Sequence, residues 1–192
     1  MTPKRSPSTD NASPTCPHRR SFLKLTAFAA AGLVAGPALA KIGPLKQRPL
    51  SFYNTHTGEA LRTEYWARGH YLPEGLAEIN HILRDHRTNE VRPIDPRLLD
   101  LLYGLQLKLG SRQAFHIISG YRSPATNAFL HANSSGVATH SLHMDGMAAD
   151  IFLPDRSLQT LRQAALSLER GGVGYYPESN FVHVDVGRIR QW

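Results

Sequence analysis

The chain has 192 residues, of which 41% are hydrophobic, so it is long enough for one domain with a substantial core. Its formal net charge is +7. Residues 1–40 hold five of the 22 Lys and Arg residues and one of the 15 Asp and Glu residues. The remaining residues therefore carry 17 basic and 14 acidic side chains, a net charge of +3. A mildly basic domain without a lysine-rich stripe or a basic patch interleaved with aromatic residues gives no support to nucleic-acid binding.

The N-terminus has the pattern of an export signal. Arg19 and Arg20 precede an apolar run at 25–34, and a small-x-small cleavage site ends at Ala40. The run is too short to span a bilayer comfortably, and paired arginines followed by Phe-Leu-Lys resemble a twin-arginine signal. We therefore expect residues 1–40 to engage the twin-arginine translocase and to be cleaved after Ala40, which leaves a periplasmic protein without a stable membrane anchor. An uncleaved membrane tether is the alternative.

Cys16 is the single cysteine of the chain and lies within the predicted signal. The mature protein would therefore have no thiol, which excludes disulfides, cysteine catalysis and thiolate metal sites. Any metal site must then be built from histidine and carboxylate ligands.

The next part of the chain predicts a hairpin, two helices, a buried strand and a third helix. In chain order we predict a polar leader at 41–49, strands at 50–55 and 60–66, a helix from Pro73, a helix from Asp95 to Gly110, a strand at 114–119 and a helix at 124–132. The domain itself is predicted to occupy residues 50–192.

His143, Asp150 and His183 form the most informative pattern. Gly146 predicts a turn between the first two, which leads into a strand with Asp150 near its start, and His183 lies in a strand at 181–186. Two imidazoles and one carboxylate suit Zn²⁺ and leave a fourth position for water. A lone histidine on an apolar segment is more often a core residue, but the His-x6-Asp spacing beside a glycine favours a metal site.

The segment between Asp150 and His183 completes the domain. Ser157 is predicted to cap a helix that runs to Arg170, and residues 171–177 are interpreted as a turn into a strand, since they lack the Lys-Ser/Thr ending of a phosphate-binding loop. The sequence thus predicts an α+β fold in which helices come first and a small, largely antiparallel sheet carries the ligands.

Three motifs have the order and spacing of a known family. They are Ile-Ser-Gly-Tyr-Arg-Ser at 118–123, Ser-x-His-x-x-Gly-x-Ala-x-Asp at 141–150 and Phe-Val-His-Val-Asp at 181–185. In these the chain resembles the LAS zinc peptidases, which include lysostaphin-type enzymes, D-alanyl-D-alanine carboxypeptidases and the hedgehog fold. Within that group it is most similar to murein endopeptidases exported by the twin-arginine route, from Arg19 and Arg20 through 54–59 and 171–177 to Trp192.

The resemblance implies a LAS or hedgehog-like fold with His143, Asp150 and His183 as zinc ligands. It also implies peptidoglycan as the substrate, with hydrolysis of the peptide bond between two meso-diaminopimelate residues in 3-3 cross-links during cell-wall growth. A D,D-endopeptidase or carboxypeptidase of the same fold would share the ligands and is the alternative within the group.

Arg122 is the candidate partner for the negative charge that develops during hydrolysis. It follows a predicted strand at a Gly-Tyr turn, and related enzymes place an arginine there against the substrate. The alternative is a structural arginine paired with a carboxylate.

The sequence identifies the general base less clearly than the metal ligands. LAS peptidases usually carry an acid or base two or three residues before the last ligand, where this chain has Phe181 and Asn180. Asp185 shares a strand face with His183 and could either take the proton of the water or orient an imidazole.

Glu178 and His140 are the reserve candidates for the base. Without any base, the domain would be a non-catalytic, zinc-containing module that binds the cell wall.

Overall fold

The computed structural model describes residues 47–134 and 137–192, so the predicted signal peptide lies outside the described residues. The first strand, β1 (Gln47–Asn54), begins three residues before the predicted start and pairs antiparallel with β2 (Ala60–Ala67). Asn54 forms the turn between them, because its side-chain oxygen accepts hydrogen bonds from the backbone of His56 and Thr57. The predicted hairpin is therefore confirmed, and a two-residue strand, β3 (His70–Tyr71), extends it.

Within the part of the chain that the structure describes, four α-helices begin where the sequence places proline or a capping side chain. They are α1 (Pro73–Ile82), α2 (Pro96–Leu109), α3 (Pro124–Asn133) and α4 (Leu158–Leu166). Asp95, Ser123 and Ser157 accept hydrogen bonds from the first turns of α2, α3 and α4, which satisfies backbone groups that the helices leave unpaired. The predicted starts are confirmed, whereas α4 ends at Leu166 rather than at Arg170.

One mixed sheet contains the eight strands found in the described residues. The remaining strands are β4 (Phe115–Ser119), β5 (Ala148–Phe152), β6 (Gly172–Tyr176), β7 (Phe181–Asp185) and β8 (Arg190–Gln191). Their spatial order is β3-β2-β1-β4-β5-β7-β6-β8, with β1–β4 and β6–β8 parallel and the other pairs antiparallel. The α+β class is confirmed, but the sheet is larger than predicted because the hairpin joins the ligand-bearing strands through β1 and β4.

The hydrophobic core lies between this sheet and the helices. It includes Phe52 and Phe115 from the sheet, Ile79 from α1, Leu102 from α2 and Leu161 from α4, all with no exposed surface. Burial of each such side chain contributes roughly 1.5–3 kcal/mol, so the helices hold the sheet in a fixed shape. Across residues 47–134 and 137–192, we find no helix with both the length and the apolarity that a membrane crossing requires.

Candidate metal centre

The three predicted ligands come from two adjacent strands and a short helix in front of them. Asp150 on β5 and His183 on β7 stand directly opposite each other in the antiparallel pair. His143 lies on a 3₁₀ helix, Leu142–Asp145, whose first turn is capped by the Ser141 side chain. The strand register therefore sets the distance between two of the ligands, and the helix supplies the third.

Gly146 ends the 3₁₀ helix and directs the chain into β5. Its φ of 67° lies in the left-handed region, and a Cβ there would collide with the backbone oxygen of Pro93. Its own carbonyl accepts a hydrogen bond from the backbone of Asp95, which caps α2. The turn is thus held against the segment before α2, and glycine meets both a conformational and a steric requirement.

The ligand atoms converge on one point. Oδ1 of Asp150 lies 2.8 Å from Nδ1 of His183 and 3.3 Å from Nε2 of His143, and the two imidazole nitrogens are 3.2 Å apart. All three ligand atoms fall within 4.8 Å of one another, and all three side chains are buried. This is a compact N,N,O donor set.

Each histidine is oriented by the nitrogen that faces away from this point. Nδ1 of His143 lies 2.7 Å from the carbonyl oxygen of Gly120, and Nε2 of His183 lies 3.2 Å from Oδ2 of Asp185. Because a carbonyl and a carboxylate only accept, these outer nitrogens carry protons, and the inner nitrogens offer lone pairs to the enclosed point whenever they are unprotonated. Two lone pairs and a carboxylate oxygen repel one another unless a cation or an additional proton lies between them. The donor set therefore fits a divalent metal such as Zn²⁺.

The pKa values reflect the same arrangement. Burial lowers the pKa of His143. Burial acts in the same direction on His183, but hydrogen bonds to Asp150 and Asp185 outweigh it and raise the pKa of His183 to about 9. For Asp150, burial would raise the pKa, yet the two imidazoles hold it well below its usual range. A metal ion bound here would have to displace the inner proton of His183, which would make its binding dependent on pH.

Arg122 lies beside Asp150, one of the three predicted ligands. It follows the turn after β4, and its backbone N–H donates to the carbonyl of His143. Its Nη2 lies 3.4 Å from Oδ2 of Asp150 and 3.3 Å from the hydroxyl of Ser119, while its buried Nε has no partner among the described residues. Burial lowers its pKa, although a guanidinium stays protonated in proteins. This geometry contains the pairing with a carboxylate that is the structural alternative for Arg122.

Asp185 has its acceptor capacity occupied. It has no exposed surface and accepts hydrogen bonds from the backbone of Gly172 and Gly187, at 2.9 and 2.8 Å. Arg190 approaches both carboxylate oxygens, at 2.8 and 3.2 Å. Burial would raise the pKa of Asp185, but these contacts and His183 hold it well below its usual range. The carboxylate contacts the outer nitrogen of His183, not the one directed at the other ligands.

The contribution of Arg190 was not predicted from the sequence. No local pattern marks it, because its contact with Asp185 depends on β8 folding alongside β6. The hydrogen bond from His143 to the Gly120 carbonyl was also missed, since backbone acceptors leave no trace in side-chain spacing.

The three predicted ligands line an open cleft of about 520 Å³. Beside the ligands, its walls include Arg122, His140, Phe181, Arg190 and Trp192. Positive groups outnumber carboxylates in this lining, which suits a substrate that carries carboxylates.

The positions where a base was expected have other roles. Phe181 stacks on Tyr176 with ring centroids 4.6 Å apart, and Asn180 lies exposed in the turn between β6 and β7 with a φ of 57°. Glu178 is exposed and is not part of the cleft lining, whereas His140 is exposed and does line it.

The family of the chain follows from comparison with known proteins. The M15_2 peptidase family model, described as peptidoglycan L,D-endopeptidase MepK, matches residues 44–192. The chain belongs to this family. Membership in the MepK family confirms the resemblance to the LAS peptidases, and the four helices on an open mixed sheet are consistent with that fold.

Two relatives illustrate the similarity within the MepK family. The chain is 46% identical over 176 residues to peptidoglycan L,D-endopeptidase MepK of Escherichia coli (strain K12), which covers 91% of this chain and 97% of the relative. It is 40% identical over 177 residues to the probable peptidoglycan L,D-endopeptidase MepK of Haemophilus influenzae, with coverage of 91% and 95%. M15 peptidases are metallopeptidases, and His143, Asp150 and His183 form a group that could bind a metal ion.

Proposed function

We propose that this protein is a zinc-dependent peptidoglycan endopeptidase that hydrolyses the bond between two meso-diaminopimelate residues in 3-3 cross-links. The observation that carries the proposal is the convergence of two imidazole lone pairs and one carboxylate oxygen in an open cleft, in a member of the MepK family. The relatives are named L,D-endopeptidases, and the proposed bond joins an L centre to a D centre.

His143, Asp150 and His183 would hold the metal ion, with their orientation set before substrate arrives. A bound Zn²⁺ would polarise the scissile carbonyl and supply an activated water near neutral pH. The Gly120 carbonyl keeps the proton of His143 on Nδ1, and Asp185 keeps that of His183 on Nε2. Both rings therefore present the correct nitrogen without having to change tautomer.

Arg122 is assigned to the negative charge of the reaction. Its guanidinium lines the cleft next to the ligand Asp150, and its Nε has no partner among the described residues. A fixed positive group beside the scissile carbonyl favours the oxyanion more than the neutral substrate. The contact with Asp150 holds the guanidinium in place for this role.

Asp185 is assigned to orientation of His183 and not to proton transfer. Its oxygens are occupied by two backbone N–H groups and by Arg190, and it is buried on the far side of the His183 ring. A general base needs to reach the proton that it removes, within hydrogen-bond distance or through one water. Of the other two predicted candidates, His140 lines the cleft and Glu178 does not.

The proposed substrate requires the protein to act outside the cytoplasmic membrane. The paired Arg19 and Arg20, the apolar run and the site at Ala40 support export by the twin-arginine translocase to the periplasm, with removal of residues 1–40.

The test is to incubate the purified protein with muropeptides of defined 3-3 and 4-3 linkage and to identify the products by mass. We expect cleavage of the 3-3 cross-link, loss of activity with a chelator and recovery with added zinc. Cleavage of the 4-3 cross-link alone would favour the D,D-endopeptidase alternative. Binding to murein without cleavage at saturating zinc would identify a binding module.

A further inference from the structure

Residues 190–192, which we call the strap, lie against the metal centre. β8 runs parallel to β6, and Trp192 exchanges backbone hydrogen bonds with that strand: its N–H donates to Val173 and its carbonyl accepts from Tyr175. These bonds hold both large side chains of the strap, those of Arg190 and Trp192, at the wall of the cleft. From there Arg190 contacts Asp185 and Trp192 contacts His183.

Arg190 forms a bidentate salt bridge with Asp185. Its two terminal nitrogens lie 2.8 and 3.2 Å from the two oxygens of the carboxylate, which itself has no exposed surface. A buried carboxylate is costly unless it is paired, and a two-pronged pairing also fixes the plane of the carboxylate. The plane of Asp185 in turn decides where Oδ2 meets Nε2 of His183, at 3.2 Å. Arg190 therefore influences the position of the predicted ligand His183 through one intermediate residue, Asp185.

Trp192 contacts the same ligand directly. The centroid of its indole ring lies 5.3 Å from the centroid of the His183 ring, and its Nε1 donates a 2.7 Å hydrogen bond to the hydroxyl of Tyr176. The Arg190 guanidinium lies 4.9 Å from the indole centroid, within range of a cation–π contact. The indole is thus held from two sides while it packs on the ligand.

Gly174 makes room for this indole. It stands opposite His183 in the β6–β7 pair, and a Cβ at this position would lie 2.7–2.9 Å from three atoms of Trp192. Contacts that short force the indole to move, so the absence of a side chain at Gly174 is a condition for the packing of Trp192 on His183.

We propose that the strap positions the ligand His183, with Arg190 acting through Asp185 and Trp192 acting on the ring. Both are positioning residues, and the inference rests on the proposed metal site. Outer residues that orient metal-binding histidines contribute roughly 10–100-fold to metal affinity. Zinc affinity is therefore the quantity that the strap controls.

The first test compares Arg190→Gln with Arg188→Gln, which removes an exposed guanidinium two residues earlier. Zinc affinity is measured by competition with a chromophoric chelator. We expect Arg190→Gln to weaken zinc binding roughly 10–100-fold and Arg188→Gln to leave it unchanged. The zinc affinity of Arg190→Lys should lie between those of the wild type and Arg190→Gln. Lysine keeps the positive charge but cannot form the bidentate pairing of a guanidinium with a carboxylate.

The second test displaces or removes the indole and leaves Arg190 unchanged. Gly174→Ala and Trp192→Ala should each weaken zinc binding, and Trp192→Phe should recover part of the loss because an aromatic ring still packs on His183. Thermal unfolding of each variant in excess chelator separates the two roles: a merely structural strap would lower the unfolding temperature and leave the zinc affinity of the folded protein unchanged. That result would overturn the inference.

The role of the strap and the proposed function can each be disproved without the other. If the wild type cleaves cross-links and every strap variant binds zinc as tightly as the wild type does, the strap has no positioning role. If the wild type binds zinc, loses affinity on strap substitution and cleaves no muropeptide, the strap is confirmed and the endopeptidase proposal is wrong.

Discussion

At the scale of single residues, the outer nitrogens of the two histidines determine the character of the site. Gly120 and Asp185 each accept a hydrogen bond from the outer nitrogen of one ring, so the inner nitrogens are the ones that could bind a metal ion. The buried carboxylate of Asp150 then completes a set whose members repel one another without a positive charge between them. This group could therefore bind a metal ion before any substrate is present.

Each of the three ligands should be indispensable. His143→Ala, Asp150→Ala and His183→Ala are each expected to abolish hydrolysis and to reduce zinc content, because a site with three protein ligands retains too few after losing one. Zinc is measured by elemental analysis of the purified variants and activity by muropeptide digestion. His81→Ala, at an exposed position on α1, is the matched control and should bind zinc normally. Stoichiometric zinc with normal activity in one of the three variants removes that residue from the ligand set.

Asp185→Asn separates the two roles predicted for this residue. If Asp185 orients His183, the substitution should weaken zinc binding by roughly 10–100-fold, and excess zinc should recover most of the activity. If it is the base, zinc content should be unchanged while kcat falls by roughly 10²–10⁴. Its occupied oxygens lead us to expect the first result. The measurement is kcat as a function of zinc concentration.

At the scale of elements, the loop after α1 holds the start of α3. Asp85 is buried in this loop and accepts hydrogen bonds from both the N–H and the hydroxyl of Ser123, at 2.9 and 2.7 Å. Ser123 caps α3 and directly follows Arg122, while the N–H of Tyr121 donates to the carbonyl of Leu83. The position of Arg122 at the cleft is therefore fixed by a loop that is distant in sequence.

Asp85→Ala should destabilise the protein by about 3 kcal/mol, because it leaves buried donors of Ser123 without an acceptor. Asp95→Ala, which removes the more accessible cap of α2, should cost only about 1 kcal/mol. The loss of unfolding free energy in each variant is measured by urea denaturation at neutral pH. Equal losses in the two variants would contradict the special role of Asp85.

The same contact predicts a pH dependence. Burial would raise the pKa of Asp85, but hydrogen bonds from Thr126 and Ser123 hold it well below its usual range. A lowered folded-state pKa contributes stability above the unfolded value of about 4 and loses it as the pH falls through the folded-state pKa. The difference in unfolding free energy between wild type and Asp85→Ala should therefore shrink below about pH 4. A difference that stays constant at lower pH would show that the carboxylate charge is not involved.

At the scale of the whole molecule, a single sheet links the N-terminal hairpin to the metal centre. β1 pairs with β4, and the turn after β1 is attached to the end of β4 through Thr55 and His56, which bond to the carbonyls of Ile117 and Ile118. The motif with Arg122 starts at this point. The hairpin therefore supports the cleft wall and is not a separate unit.

Export is the prediction that concerns the entire chain. Arg19→Lys combined with Arg20→Lys keeps the charge but should block transport, because the twin-arginine receptor reads guanidinium geometry. Fractionation followed by N-terminal sequencing is the measurement. The appearance of unchanged amounts of a mature protein starting at Lys41 in the periplasm would show that the general secretory route is used.

The sequence by itself determined the features that depend on neighbouring residues. Asp95 and Ser157 marked two helix starts, because a cap acts on backbone groups two or three residues away. Gly146 marked the turn before β5, and the spacing of His143 and Asp150 around it identified two candidate ligands. In each case the physical cause lies within one turn of the chain and leaves a local pattern.

Only the tertiary structure decided how distant segments meet. It showed that β1 and β8 join the sheet in parallel and that α4 ends early, which brings Gly171 and Gly172 against the backbone and side chain of Asp185. It also showed that Arg190 and two backbone N–H groups occupy that carboxylate. The contact with Gly172 forms only through strand pairing, and the contacts with Gly187 and Arg190 depend on how the chain turns after β7, so no periodicity in the sequence records them. The role of Asp185 therefore stayed open in the sequence, and its surroundings in the fold favour orientation of His183 over proton transfer.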